Sequence, residues 1–172
     1  MRIEHVPAGA WENQMYFGKP DYESDWAWIN MTNPRTFRLH PDEAARLNFT
    51  DSVMVKPGED FSSMLGVIHN LHCLRRLRQM LYPEYYYPNE AEDMKQHNFG
   101  HALHCLEALR SSVMCYPDLN PHPFYWSGMK YHDITVSAKV TRQCVDWDVM
   151  QERLEPRNFK DTELMRGTGP PA

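Results

Sequence analysis

Apolar and polar positions alternate with helical spacing over two stretches of the chain and lose that order elsewhere. Leu65, His69, His72, Cys73 and Leu77 fall on one helix face, which predicts a helix within 60–81 that Pro83 ends. The segment Tyr82-Pro83-Glu84-Tyr85-Tyr86-Tyr87-Pro88 cannot continue it. Asn89 then offers an N-cap, with Glu90, Glu92 and Asp93 where a helix dipole favours anions, and a second helix is predicted over about 90–114. Pro117, Pro121 and Pro123 close it. Two helices joined by a short linker suit an antiparallel pair.

Around this pair the pattern is weaker. Residues 1–60 read as an irregular arm with short extended pieces, broken by Pro7, Pro20, Pro34, Pro41 and Pro57 and studded with aromatic anchors. One short helix is predicted over 42–47, behind Pro41. Ile134-Thr135-Val136-Ser137 reads as a strand, and Val145 to Leu154 as a short helix. The expected fold is therefore mainly α. An antiparallel helix pair forms a core over 61–155, wrapped by an arm over 1–60 and a tail over 156–172, with a few short strands, as one globular domain.

The two predicted helices carry the same words. His69-Asn70-Leu71-His72-Cys73-Leu74-Arg75-Arg76-Leu77-Arg78 is matched by His101-Ala102-Leu103-His104-Cys105-Leu106-Glu107-Ala108-Leu109-Arg110. Both histidines, the cysteine, the leucines and the final arginine coincide. Residues three and four apart share a helix face, so each copy sets two imidazoles and a thiol side by side. Met94, Ala108 and Ser112 lie on that face of the second helix, with Gly100 nearby, and small residues there let two backbones approach closely.

Imidazole is both the commonest biological metal ligand and the side chain that titrates near neutrality. His69, His72, His101 and His104 are thus the candidate catalytic residues and the candidate metal ligands. Nitrogen-rich sites suit copper, zinc, iron or nickel, and copper would suit dioxygen chemistry. A closed structural zinc site would ask for CxxC-type spacings, which are absent. A single histidine on an apolar face is usually a core residue; two copies of the same triplet are harder to explain that way. Cys73 and Cys105 are open to three readings: soft ligands, a bridge between the helices, or inert buried thiols.

Other residues stand as lesser candidates. Tyr86, Tyr125, Trp126 and His132 are candidate substrate contacts, and Tyr85 and Tyr87 flank the first of them. His97 precedes His101 by one turn and reads more readily as a surface residue. His122 could reach the site from a loop. Asp118 is either a partner that orients an imidazole or a turn residue after Pro117. Cys115 and Cys144 are the candidate disulfide. Four cysteines would suit two bridges in an oxidising compartment, with three possible connectivities.

Composition narrows the function class. The 172 residues carry a net charge of −5, and the only basic cluster is Arg75, Arg76 and Arg78 on one helix, so no nucleic-acid partner is expected. No stretch approaches the ~20 apolar residues of a membrane span, and the N-terminus lacks the apolar run of a signal peptide. Two glycosylation sequons, Asn30-Met31-Thr32 and Asn48-Phe49-Thr50, are too short a pattern to weigh. There is no Gly-rich phosphate loop, no GxSxG elbow and no HExxH, which argues against nucleotide, serine-hydrolase and zincin chemistry.

At these motifs the sequence resembles the fungal ustiloxin-biosynthesis oxidases, the UstYa-like proteins with paired HxxHC motifs. The stretch Leu109-Arg110-Ser111-Ser112-Val113-Met114-Cys115-Tyr116-Pro117-Asp118 and the later Gln143-Cys144-Val145-Asp146-Trp147 carry the likeness further, over roughly 20–155. The resemblance implies a tailoring enzyme of fungal secondary metabolism that acts on a peptide or small natural product. Oxidative cyclisation or hydroxylation at a copper-binding histidine site is the first expectation. The alternative is a cofactor-independent cyclase, closing a ring by Michael-type or pericyclic chemistry with the motif histidines as general acid and base. A homodimer, or a pair with a homologous subunit, is a further expectation. Such proteins usually begin with one transmembrane helix, which this chain lacks. The implied place is the secretory lumen if an anchor has been trimmed, and the cytoplasm otherwise.

Overall fold

The computed structural model of the chain describes residues 2–5, 15–130, 132–137 and 141–169. Helices dominate: α1 (Tyr22–Met31), α2 (Pro41–Leu47), α3 (Gly66–Met80), the single turn α4 (Pro83–Tyr86), α5 (Glu92–Cys115) and α6 (Trp147–Leu154). Short strands intervene: β1 (Arg2–His5), β2 (Phe37–Leu39), β3 (Met54–Val55), β4 (Asp60–Ser63), β5 (Phe124–Met129), β6 (His132–Val136) and β7 (Thr141–Cys144). The mainly α character expected from the sequence holds. The two HxxHC motifs lie on α3 and α5.

The supposed irregular arm contains α1, which the periodicity missed. Its start is set by a reciprocal cap. Asp21 Oδ1 accepts the backbone N–H of Ser24 at 2.7 Å, and Ser24 Oγ accepts that of Asp21 at 3.1 Å. Trp26 and Trp28 break the simple apolar rhythm, so the cap was the legible signal. The helix carrying the second motif begins later than Asn89 suggests. Ala91, extended at φ −66°, ψ 155°, is the N-cap, and Glu92 and Asp93 still occupy the first turn. α2 begins with Pro41 as read, and ends where Asn48 adopts the left-handed conformation at φ 57°.

The chain forms two compact units, each built from separated segments. One comprises residues 1–29 and 73–146, the other 30–72 and 147–172.

In the first unit β1 pairs antiparallel with β7, and β5 with β6. Its described core is made of small residues, with Ala27, Cys73, Ala102 and Cys105 all buried. A polar cluster sits beside them. Arg78, buried, donates to Asp25 Oδ1 at 3.1 Å and to Ser24 Oγ at 2.9 Å, and also bonds the Tyr86 hydroxyl. That hydroxyl donates in turn to Asp25. The guanidinium carbon lies 5.8 Å from the Trp28 and Tyr86 ring centres and 5.9 Å from that of Tyr82, within cation–π range.

The second unit holds an antiparallel sheet in the order β2-β4-β3, with Phe61 opposite both Leu39 and Met54. Leu39, Ala44, Val55, Ile68 and Phe159 form its buried core. Arg157 fastens α2 to the sheet: Nε donates to the Arg38 carbonyl at 2.9 Å, and the fork grips the Glu43 carboxylate. The same carboxylate accepts the His40 backbone N–H at 2.9 Å. Arg157, first, and then the His40 amide hold Glu43 below the usual carboxylate range.

Candidate functional site

The imidazoles come in two pairs, one per motif. On α3 the His69 and His72 rings are 6.3 Å apart, centre to centre, and nearly parallel at 23°. On α5 the His101 and His104 rings repeat that 6.3 Å separation at 37°. The helix repeat explains both, because i and i+3 project from one face a turn apart. His69, His72 and His101 are half-buried, and His104 is exposed.

The two motif cysteines behave differently from their neighbours. Cys73 and Cys105 are both fully buried, and their thiols are hydrogen-bonded to each other. Burial, with the Cys105 thiol beside it, pushes the Cys73 thiol up to about 12. Of the readings open for these cysteines, the described arrangement is that of a buried thiol pair.

One turn further along α3, a polar bridge reaches α5. Arg76 Nη2 donates to Asn98 Oδ1 at 2.7 Å, while Nη1 contacts the Tyr87 hydroxyl and Gln79 Oε1, each at 3.3 Å. Asn98, itself buried, donates its amide to Glu90. The sequence reading gave Asn98 and Gln79 no part, and Arg76 only a place in a basic cluster. Their signal was position: Arg76 follows His72 by four and Asn98 precedes His101 by three, so each shares a face with its motif.

Among the described residues no group of three or more His, Cys, Asp or Glu side chains is placed to hold a metal ion. The imidazoles are described as two pairs, one on each motif helix.

The lesser candidates are scattered. The Tyr86 hydroxyl is engaged by Arg78 and Asp25. Burial, followed by its bond to Asp25, raises it to about 12 against the opposing pull of Arg78. Tyr125 and Trp126 are exposed on β5, across from Thr135 and Ile134. His132 lies on β6 opposite Met129, and its side chain falls outside the described part of the structure. His97 is exposed, as read. Of the two readings for Asp118, the turn residue is the one described. It accepts the Asn120 backbone N–H at 3.0 Å in a turn, and it stands 3.9 Å from Nε2 of His122, whose Nδ1 lies 2.9 Å from the Ser137 carbonyl. Cys115, exposed, and Cys144, half-buried, are both free thiols, so the expected bridge between them is not formed here.

Each unit also carries an open cleft. One of about 680 Å³ runs past Met15, Phe17, Asp21 and Ser24 in the first unit, and one of about 560 Å³ past Lys56, Leu164 and Arg166 in the second. Neither is lined by a motif histidine. Among the described residues no helix is long and apolar enough to cross a membrane.

The sequence profile of the family described as mycotoxin biosynthesis protein UstYa matches residues 2–153. The UstYa family oxidase phomYd of Diaporthe leptostromiformis is 31% identical over 147 residues, covering 83% of this chain and 46% of its own. The UstYa family oxidase phomYc of the same fungus is 28% identical over 145 residues, covering 80% and 57%. The oxidase ustYa of Aspergillus flavus is 29% identical over 155 residues, covering 86% and 66%. The chain spans about half the length of the curated relatives it matches first. No solved structure matches it.

Proposed function

The chain belongs to the UstYa family of mycotoxin-biosynthesis proteins, and we propose that it is a fungal secondary-metabolite tailoring enzyme, an oxidase acting on a peptide or small natural product through the motif histidines. The observation that carries this reading is the doubled HxxHC, each copy on its own helix with its imidazoles side by side. Relatives that carry the name oxidase support the reaction class.

The antiparallel pairing of α3 and α5 is part of the proposal. Cys73 lies beside Cys105 and Arg76 bonds Asn98, an order that supports α5 running opposite to α3. On this reading the reacting groups are the motif imidazoles, His69 with His72 on one helix and His101 with His104 on the other. Oxidative ring closure takes two protons and two electrons from the substrate, and dioxygen would accept the electrons on its reduction to hydrogen peroxide. The imidazoles are the groups that take those protons. Copper would supply the electron-accepting chemistry with dioxygen. It remains an implication of the family likeness.

The separation of 6.3 Å within each pair also supports a second reading, a cofactor-independent cyclase. Two imidazoles at that spacing can act as base and acid on one enolisable substrate, and holding a flexible chain in a folded conformer lowers the barrier further.

The deciding experiment is turnover of the candidate natural-product precursor by purified protein, in air and under strict anaerobiosis, with metal content measured on the same sample. Turnover that stops without oxygen is expected. Full turnover without oxygen overturns the oxidase and leaves the cyclase. Full turnover by the protein with all four motif histidines changed to alanine overturns both.

A further inference from the structure

Two acceptor tripeptides for N-linked sugar stand in the sequence, and the structure separates them. Asn30 lies inside α1, and Thr32, the third residue of its tripeptide, is buried at 6% exposure. Asn48 lies just past the end of α2, and Asn48, Phe49 and Thr50 are all exposed. An N-linked oligosaccharide is bulky and has to stand in water once the chain has folded. The second tripeptide meets that demand along its whole length, and the first does not.

The turn accounts for the asparagine but not for the threonine. Asn48 takes the left-handed conformation at φ 57°, which asparagine tolerates better than most residues. Its backbone N–H returns to the Ala45 carbonyl at 3.3 Å and that of Phe49 to the Ala44 carbonyl at 2.9 Å, closing α2 in a Schellman turn. This closure uses main-chain groups throughout. Among the described residues the Asn48 side-chain amide and the Thr50 hydroxyl make no hydrogen bond. Ending the helix needs no hydroxyl two residues beyond the asparagine, whereas a sugar acceptor does. Leu47 and Phe49, on either side of Asn48, are 53% and 49% exposed, apolar surface that a sugar would cover.

We propose that Asn48 is an N-glycosylation site, modified by an oligosaccharide that a lipid diphosphate donates. The bond formed joins Asn48 Nδ2 to the anomeric carbon of the first sugar. The bond broken joins that carbon to the diphosphate, which leaves with the electron pair. The amide gives up one proton, which balances the charge of the leaving diphosphate, and nothing is oxidised or reduced. The reaction requires this turn to pass through the secretory lumen, where such donors are used. The site lies outside both HxxHC copies and is independent of which reaction their histidines perform.

The test is the full protein purified from the fungus that makes it, digested with peptide:N-glycosidase in heavy-oxygen water. Faster migration on a denaturing gel is expected after digestion, with position 48 recovered by peptide mass spectrometry as heavy-oxygen-labelled aspartate. Two variants made in the same host should lose that sugar and migrate faster before any digestion. Asn48→Gly suits the left-handed backbone, and Thr50→Ala keeps the asparagine while removing the hydroxyl. A denaturing gel reads the sugar on folded and unfolded chain alike, so a variant that folds poorly still answers. Position 48 recovered as unmodified asparagine, a sugar there that survives Thr50→Ala, or a sugar on Asn30 in its place overturns the proposal.

Discussion

Cys73 and Cys105, the closing residues of the two HxxHC copies, meet as hydrogen-bonded thiols with no surface exposed. A thiol reagent must therefore wait for the structure to open before it reaches them. In a timed assay with a chromogenic disulfide at neutral pH, exposed Cys115 should react at once and half-buried Cys144 more slowly. Cys73 and Cys105 should react only at the rate of unfolding. Four equally fast thiols would contradict the arrangement.

Arg78→Met should destabilise the first unit more than any other arginine substitution there. It removes the partner of Asp25, the bond to Ser24 and the stacking over three rings. Breaking a buried pair typically costs 3–5 kcal/mol. Asp25 is partly solvated, so about 3 kcal/mol is expected in urea unfolding. Arg110→Met, on an exposed pair with Glu107, should leave the urea midpoint almost unchanged.

Alkaline pH should act on the same cluster through Tyr86. Its folded-state pKa of about 12 lies above the ~10 of a free phenol. The folded state therefore holds this proton more tightly than the unfolded one. The stabilisation is complete below pH ~10 and disappears as pH rises towards about 12. Tyr86→Phe should flatten that part of the stability profile, and the tyrosinate absorbance of the wild type should lose its latest-titrating component in the variant.

On the acid side, the second unit should respond through Glu43. Its pKa is depressed by Arg157 and the His40 amide, so its contribution is present above the ordinary carboxylate pKa and is lost as pH falls through the lower, folded value. Glu43→Gln should make stability less sensitive to acid, as read by thermal melts across the acidic range.

Each motif histidine changed singly to alanine should lower turnover by about 10²–10⁴-fold if it transfers a proton, with the circular dichroism unchanged. Phenylalanine substitutions at exposed His97 should leave the rate within a factor of about two.

Local signals were legible in the sequence. Pro41 opens α2, the recurrence of His69, His72 and Cys73 marks α3, and the acidic pair Glu92 and Asp93 opens α5. α1 escaped because its only clear mark is the Asp21 and Ser24 cap. What no local pattern carries is distance along the chain. β1 finds β7 across more than a hundred intervening residues, and Gln151 donates to the Asn33 carbonyl at 2.7 Å from the far end of the sequence. For the site, residue type and spacing named the four imidazoles. The Arg76 to Asn98 bridge depends on two helices meeting, and a single sequence shows only that each residue shares a face with its motif.

The interleaved units carry a practical consequence for anyone dissecting this molecule. Their borders fall between Ile29 and Asn30 inside α1, and between His72 and Cys73 inside α3. The first HxxHC is thereby divided, its imidazoles counted with one body and its sulfur with the other. No cut in the gene yields either body as an uninterrupted fragment, and a protease nick at that point would sever the motif itself.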